Sequence, residues 1–138
     1  MILLPGGTFA DVFSNYQTFL ALSQAFEDTG VRAYKGQAAN LISEPELLQA
    51  ALQIHSVEAR HASMIRRMRG QKGWIPGNDP GGHPMQADAV YAGEEVTTQA
   101  GFNTANVAGT SSTAGSESFD EPLTGAQATS IASLFIMT

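Results

Sequence analysis

Apolar and weakly polar residues recur every three or four positions between residues 11 and 41, which is the spacing of one face of an α-helix. This stretch contains no proline, and its two glycines are Gly30 and Gly36. We therefore predict a long first helix over residues 11–41. A glycine inside a helix costs about 1 kcal/mol relative to alanine, so Gly30 indicates either close approach of a neighbouring helix or a local bulge. The predicted face consists of Phe13, Tyr16, Leu20, Ser23, Glu27, Val31, Tyr34, Ala38 and Leu41.

A second helical pattern follows directly. Ser43 is its predicted N-cap, Pro45 fits the first turn, and Glu46 completes a capping box. Gly70 is predicted to end this helix after three arginines. Because the connection is very short, the two helices are predicted to form an antiparallel hairpin. The apolar seam of the second helix consists of Leu47, Ala51, Ile54, Glu58, His61, Ile65 and Met68.

The helical pattern stops after Gly70. Residues 74–84 are rich in turn-forming residues, and residues 110–116 are predicted to be a flexible linker. Residues 89–98 fit either a short helix or a strand, and a short C-terminal helix is predicted over residues 123–137, capped by Thr124. The chain is thus predicted to be all-α, with a helical hairpin at residues 1–69 and a loop-rich, irregular tail at residues 70–138.

Charge separates the same two segments. The chain of 138 residues has a formal net charge of −6, and all of this excess lies in residues 70–138, where Lys72 is the one basic residue among seven acidic ones. An acidic segment argues against nucleic acid or anionic lipid as its partner. The arginines between Arg60 and Arg69 are interpreted as a solvated face or as a match to the helix dipole.

Other classes of protein and of site are excluded by composition. The chain has no cysteine, so disulfides and thiolate metal sites are excluded. It has no apolar run of about 18 residues, so no membrane span is predicted. Its first residues do not have the pattern of an export signal.

Three ionisable residues interrupt the two apolar seams: Glu27 on the first helix, and Glu58 and His61 on the second. At 1.5 Å per residue, all three lie roughly 20–26 Å from the turn, so an antiparallel hairpin brings them to one level. Buried carboxylates are costly unless they are paired or bind a cation. Glu-x-x-His on a helix is a ligand pair of di-iron and di-manganese bundles, and these donors suit Fe, Mn or Zn. The alternative is a chance occurrence, with the histidine satisfied inside the core.

The segments Phe26–Gly36 and Ile54–His61 resemble the last two bundle helices of bacterial ferritin-like domain proteins, which include the desiccation-related proteins. Residues 118–124 are similar to the end of those proteins, and the resemblance covers residues 9–75 and 117–136. It implies a four-helix bundle with two glutamates and two Glu-x-x-His pairs as metal ligands. Glu27 matches the third-helix glutamate, and Glu58 and His61 match the fourth-helix pair. A periplasmic location follows from the resemblance if the N-terminus is incomplete.

Half of that ligand set is missing from this chain. We expect the hairpin to form half of a ferritin-like bundle, completed by a second copy, by a partner chain, or by a missing part of a longer chain. One hypothesis is a carboxylate and histidine metal site at the bundle interface, binding iron, with ferroxidase or di-iron oxidase activity. The other hypothesis is a structural subunit with a vestigial, metal-free site, in which the tail wraps a neighbour.

Other polar residues receive ordinary structural interpretations. Tyr34 is expected to be a core tyrosine, and His55 a surface or capping residue. The acidic pair Glu94 and Glu95, with the nearby Tyr91, is expected to form a solvated patch. His83 is expected to be a turn residue.

Overall fold

The computed structural model describes residues 9–78, 81–107 and 109–136, and it is mostly helical. Helix α1 spans Tyr16–Gln37 and continues into a 3₁₀ turn at Ala38–Leu41. It begins five residues later than predicted, because the side chain of Asn15 accepts hydrogen bonds from the backbone N–H groups of Gln17 and Thr18 and caps the helix there. Residues 11–14 form turns instead.

Helix α2 spans Pro45–Met68 and packs antiparallel against α1, which confirms the hairpin. The predicted capping box is wrong: Glu44 is the N-cap residue, and it makes no side-chain capping bond in the described structure. Proline at the first helical position removes one of the N–H groups that would otherwise lack a partner in the first turn. Gly70 ends the helix in the left-handed conformation, with φ +74°.

The tail contains more regular structure than predicted. Its elements are α3 at Asp88–Tyr91, strands β1 at Thr98–Gln99 and β2 at Phe102–Asn103, α4 at Ser112–Ser116, and α5 at Gly125–Ser133, with 3₁₀ turns at Met85–Ala87 and Thr104–Asn106. The two strands pair antiparallel, with Thr98 opposite Asn103.

Three predictions for the tail are tested by these elements. The predicted linker at 110–116 is wrong, because the Ser111 side chain caps α4 there. Residues 89–98 contain helix at one end and strand at the other. The predicted C-terminal cap is confirmed, since Thr124 and Gln127 form a capping box, although α5 is shorter than the predicted helix. The last predicted helical residue, Met137, lies outside the described residues.

The main hydrophobic core lies between α1 and the tail, not between the two helices of the hairpin. The tail therefore covers one side of α1 in its own chain, where the structural-subunit hypothesis expected it to wrap a neighbour. The core residues are Phe9, Val12, Leu22, Ala25, Ile75, Ala87, Val90, Tyr91, Leu123, Ile131 and Phe135.

Close approach of the tail to α1 depends on Gly36. The backbone N–H of Leu123 donates to the carbonyl oxygen of Arg32 at 3.0 Å, and a Cβ added at Gly36 would collide with the backbone carbonyl of Leu123. A glycine at this position lets an extended segment lie directly on the helix.

The other side of the hairpin remains open in the described structure. Apolar seam residues of α2 are solvent-exposed, with Leu47 58%, Ile54 44% and Met68 54% exposed, and Tyr16 on α1 is 60% exposed. Two helices cannot bury an apolar seam on both sides, so an isolated hairpin exposes such a face. No helix in the described ranges is both long enough and apolar enough to cross a membrane.

Candidate metal centre

Glu27 and His61 meet across the hairpin. The imidazole Nδ1 of His61 lies 3.3 Å from Oε1 of Glu27, although 34 residues separate them in sequence. The side chain of His61 is 57% exposed and that of Glu27 is 27% exposed, so the pair stands at the open edge of the α1–α2 interface. The two residues thus lie at one level along the hairpin, as their equal distances from the turn predicted.

Glu58 lies directly over Gly30 of α1. A Cβ built on Gly30 would lie 2.6 Å from Cδ and 2.8 Å from Oε1 of Glu58, so only glycine leaves room for this carboxylate. The other oxygen, Oε2, is buried and has no hydrogen-bond partner in the described structure. Burial raises the pKa of Glu58, the negative charge of Glu27 raises it further, and His61 lowers it.

The donor atoms of these three side chains are of the kind that transition-metal ions bind. Carboxylate and imidazole donors suit iron, manganese or zinc. Oε2 of Glu58 has no hydrogen-bond partner in the described structure, and Gly30 leaves room for the carboxylate. This oxygen is therefore available to a cation. Within the described ranges, however, no group of three or more His, Asp or Glu side chains is already arranged around one point.

The two remaining histidines are less exposed than expected. His55, one turn before Glu58, is half-buried, and its Nε2 is buried with no hydrogen-bond partner among the described residues. The side chain of His83 is only 9% exposed; its Nε2 lies 2.8 Å from Oδ1 of Asp88, and its ring packs 5.1 Å from that of Tyr91. His55 is therefore partly covered, and His83 has contacts beyond its own turn. Tyr34 is half-buried.

A buried polar network next to the candidate centre was not predicted. Asp28 accepts hydrogen bonds from Nη2 of Arg66 at 2.5 Å and from the hydroxyl of Tyr91 at 2.9 Å. Gln24 donates to the same hydroxyl at 3.2 Å and accepts from Arg69 at 2.6 Å. Burial raises the pKa of Tyr91 far above its ordinary value. The solvated interpretation is therefore wrong for Arg66 and for Tyr91, because each bonds to Asp28 in the interior.

A second buried ion pair joins α1 to the tail. Nε of Arg32 lies 2.8 Å from Oε1 of Glu94 and donates to the carbonyl of Glu121 at 2.7 Å, while Nη2 donates to the carbonyl of Ala92 at 2.9 Å. Burial raises the pKa of Glu94 to about 7, against the opposing charge of Arg32. The solvated-patch prediction is wrong for Glu94, which is 1% exposed, whereas Glu95 is exposed.

Comparisons with known proteins add one family. The family model for a ferritin-like domain matches residues 5–71, a segment that contains the whole hairpin with Glu27, Glu58 and His61. A search of curated proteins and a search of solved structures find no match to the chain.

Proposed function

Because residues 5–71 match the family model for a ferritin-like domain, we propose that this protein binds a transition-metal ion through Glu27, Glu58 and His61. Iron is the first choice, and manganese and zinc are the alternatives. One observation carries this proposal: Glu58 places a buried, unpartnered carboxylate oxygen over Gly30, beside a second carboxylate and an imidazole.

The electrostatics of the site favour a cation. Glu27 and Glu58 interact unfavourably, since the charge of Glu27 raises the pKa of Glu58, and His61 compensates only in part. A divalent ion would satisfy both carboxylates and the buried oxygen together. Nδ1 of His61 lies 3.3 Å from Oε1 of Glu27, so these two atoms are close enough to bind one ion in place of their contact with each other.

Bound iron would supply one-electron chemistry with dioxygen, so ferroxidase or di-iron oxidase activity is the activity that we propose. In that role Glu27 and Glu58 balance the charge of the ion, and Gly30 keeps the space that the Glu58 carboxylate needs. The missing ligands come from a further helix pair, which belongs to a homo-oligomer or to a partner chain. The exposed apolar face around the site supports docking of such a pair.

The test is metal analysis of the full chain purified from iron-supplemented cells. We expect the wild type to contain bound iron, and Glu58→Gln combined with His61→Ala to lose it. Glu46→Gln removes one exposed carboxylate from the same helix and serves as the matched control, which should retain the metal. Negligible iron, manganese and zinc in both the wild type and the double variant would sink the proposal.

A second candidate is a structural subunit with a vestigial, metal-free site. The contact between Glu27 and His61 supports it, because at 3.3 Å the two side chains already partner one another. In this case a chelator changes neither the mass of the assembly nor its melting temperature, and the double variant assembles like the wild type. A melting temperature that falls on chelation in the wild type alone excludes this candidate.

A further inference from the structure

Three exposed aromatic side chains line a cavity at the start of α1. Phe13, Tyr16 and Phe19 recur every third position, and all three are solvent-exposed. The rings of Tyr16 and Phe19 are nearly parallel, with an angle of 16° between their planes and 6.4 Å between their centroids. We call this open cavity of about 320 Å³ the aromatic groove, and its lining residues are Val12, Phe13, Ser14, Asn15, Tyr16 and Phe19.

The aromatic groove lies beyond the end of the α1–α2 interface. Glu27 contacts His61, and the two helices run antiparallel. Met68, the last residue of α2, is seven residues after His61 and is therefore level with Leu20, seven residues before Glu27. Tyr16 precedes that level by one helical turn. The groove is thus separate from the face around the candidate metal centre, and a helix pair that docks on that face leaves it accessible.

Asp11 gives the aromatic groove a negative charge. Its Oδ2 accepts hydrogen bonds from Nδ2 of Asn15 at 2.9 Å and from Oγ1 of Thr18 at 3.0 Å, which hold the carboxylate against a lining residue. Both donors are neutral, and no basic side chain in the described parts of the chain forms an ion pair with Asp11. The positive end of the α1 dipole offsets only about half an elementary charge, so a net negative charge remains beside the groove.

Aromatic rings next to an unpaired carboxylate favour one class of ligand. The face of an aromatic ring is negative and attracts cations, and quaternary ammonium groups are the organic cations that such rings bind in proteins. An anionic ligand would be repelled by Asp11. A cavity of about 320 Å³ is at the lower end of the range for small-molecule sites, so it has room for a molecule of the size of choline.

We propose that the aromatic groove binds a free small molecule that carries a quaternary ammonium group. The rings of Phe13, Tyr16 and Phe19 pack against its methyl groups, and Asp11 balances its charge. A free molecule fits better than the choline headgroup of a membrane lipid, because the lipid would bring its phosphate next to the carboxylate of Asp11. This site shares no residue with the candidate metal centre.

Saturation-transfer NMR from the full chain to choline chloride tests the proposal. We expect saturable binding by the wild type, weakened about fivefold or more in Tyr16→Ala and in Asp11→Asn. The uncharged isostere of choline, in which carbon replaces the nitrogen, should bind about fivefold or more weakly than choline. Phe102→Ala is the matched control, since it removes a similarly exposed aromatic ring from strand β2 of the tail. It should bind choline like the wild type.

Four results would overturn the inference, and none of them bears on the metal site. The first is an absence of saturable transfer to choline in the wild type. The second is equal binding of choline and its uncharged isostere, which means that the groove recognises apolar surface alone. The third is unchanged affinity in Tyr16→Ala and Asp11→Asn, with helical circular dichroism preserved in both. The fourth is co-sedimentation of the wild type with phosphatidylcholine vesicles, which overturns the choice of a free molecule.

Discussion

Replacing Gly30 with alanine should separate the stability of the fold from the integrity of the site. Alanine is favoured over glycine inside a helix by about 1 kcal/mol. The new methyl group would press on the Glu58 carboxylate, whose Cδ would lie 2.6 Å from it. That carboxylate is the mobile end of a side chain and carries a desolvation cost, so it can swing into water at little expense to the fold.

We therefore expect Gly30→Ala to be as stable as the wild type, or more stable by up to about 1 kcal/mol, a rise of a few degrees in melting temperature. Binding of Mn²⁺ should weaken at least tenfold, since the carboxylate leaves the site. Calorimetric unfolding measures the melting temperature, and titration with MnCl₂ measures the affinity for Mn²⁺. Gly30→Ala in a Glu58→Ala background is the control. This variant has no carboxylate to displace, so it should show the full gain in stability of alanine over glycine.

Two results would refute this reasoning. A loss of more than about 1 kcal/mol in Gly30→Ala means that the carboxylate cannot leave, so it is part of the structural core. Unchanged Mn²⁺ affinity means that Glu58 is not a ligand whose position depends on Gly30.

The other predictions concern the contacts between α1 and its neighbours. Arg66→Met should destabilise the fold by about 3–5 kcal/mol in denaturant titration, because it leaves Asp28 buried without its cation; a loss below 1 kcal/mol would contradict this. Gly36→Ala should lower the melting temperature, unlike Gly30→Ala, since the obstacle is the backbone carbonyl of Leu123, and an unchanged value would contradict this. The folded-state pKa of Glu94 is raised to about 7 from an ordinary 4.5, so the neutral acid is favoured by folding. The stability of the wild type relative to Glu94→Gln should fall as pH rises through about 7, and a flat difference between pH 4.5 and 8 would show that burial does not control this group.

The hairpin and its polar residues were predictable because both depend on local spacing. Seams with steps of three and four define the two helices, and the short connection makes them antiparallel. Rise per residue then places Glu27 level with His61, and the structure has these side chains in contact. Gly30 was predicted to mark either a close approach or a local bulge, because the sequence does not say which side chain lies above it.

The buried network was not predictable, because its partners are distant in sequence. Asp28 and Arg32 are four residues apart on α1, the spacing of an ordinary exposed ion pair, yet each bonds elsewhere. Arg32 pairs with Glu94 in the tail, and Asp28 pairs with Arg66 of α2 and Tyr91 of the tail. The turn-rich tail has no periodic pattern from which its folding back onto the helix could be predicted. The predicted first residues of the two helices were wrong for a different reason, because several positions near each start are compatible with the beginning of a helix.

Because the core lies between α1 and the tail, it can form only late in synthesis of the residues described here. The hairpin is made first, and its two helices contact one another through local pairing. Leu22 and Ala25, however, pack against side chains as late in the chain as Phe135. A nascent chain therefore carries the hairpin with one side of α1 uncovered until Phe135 has left the ribosome. Throughout that interval the side of α1 that the tail later covers is open to association with other chains.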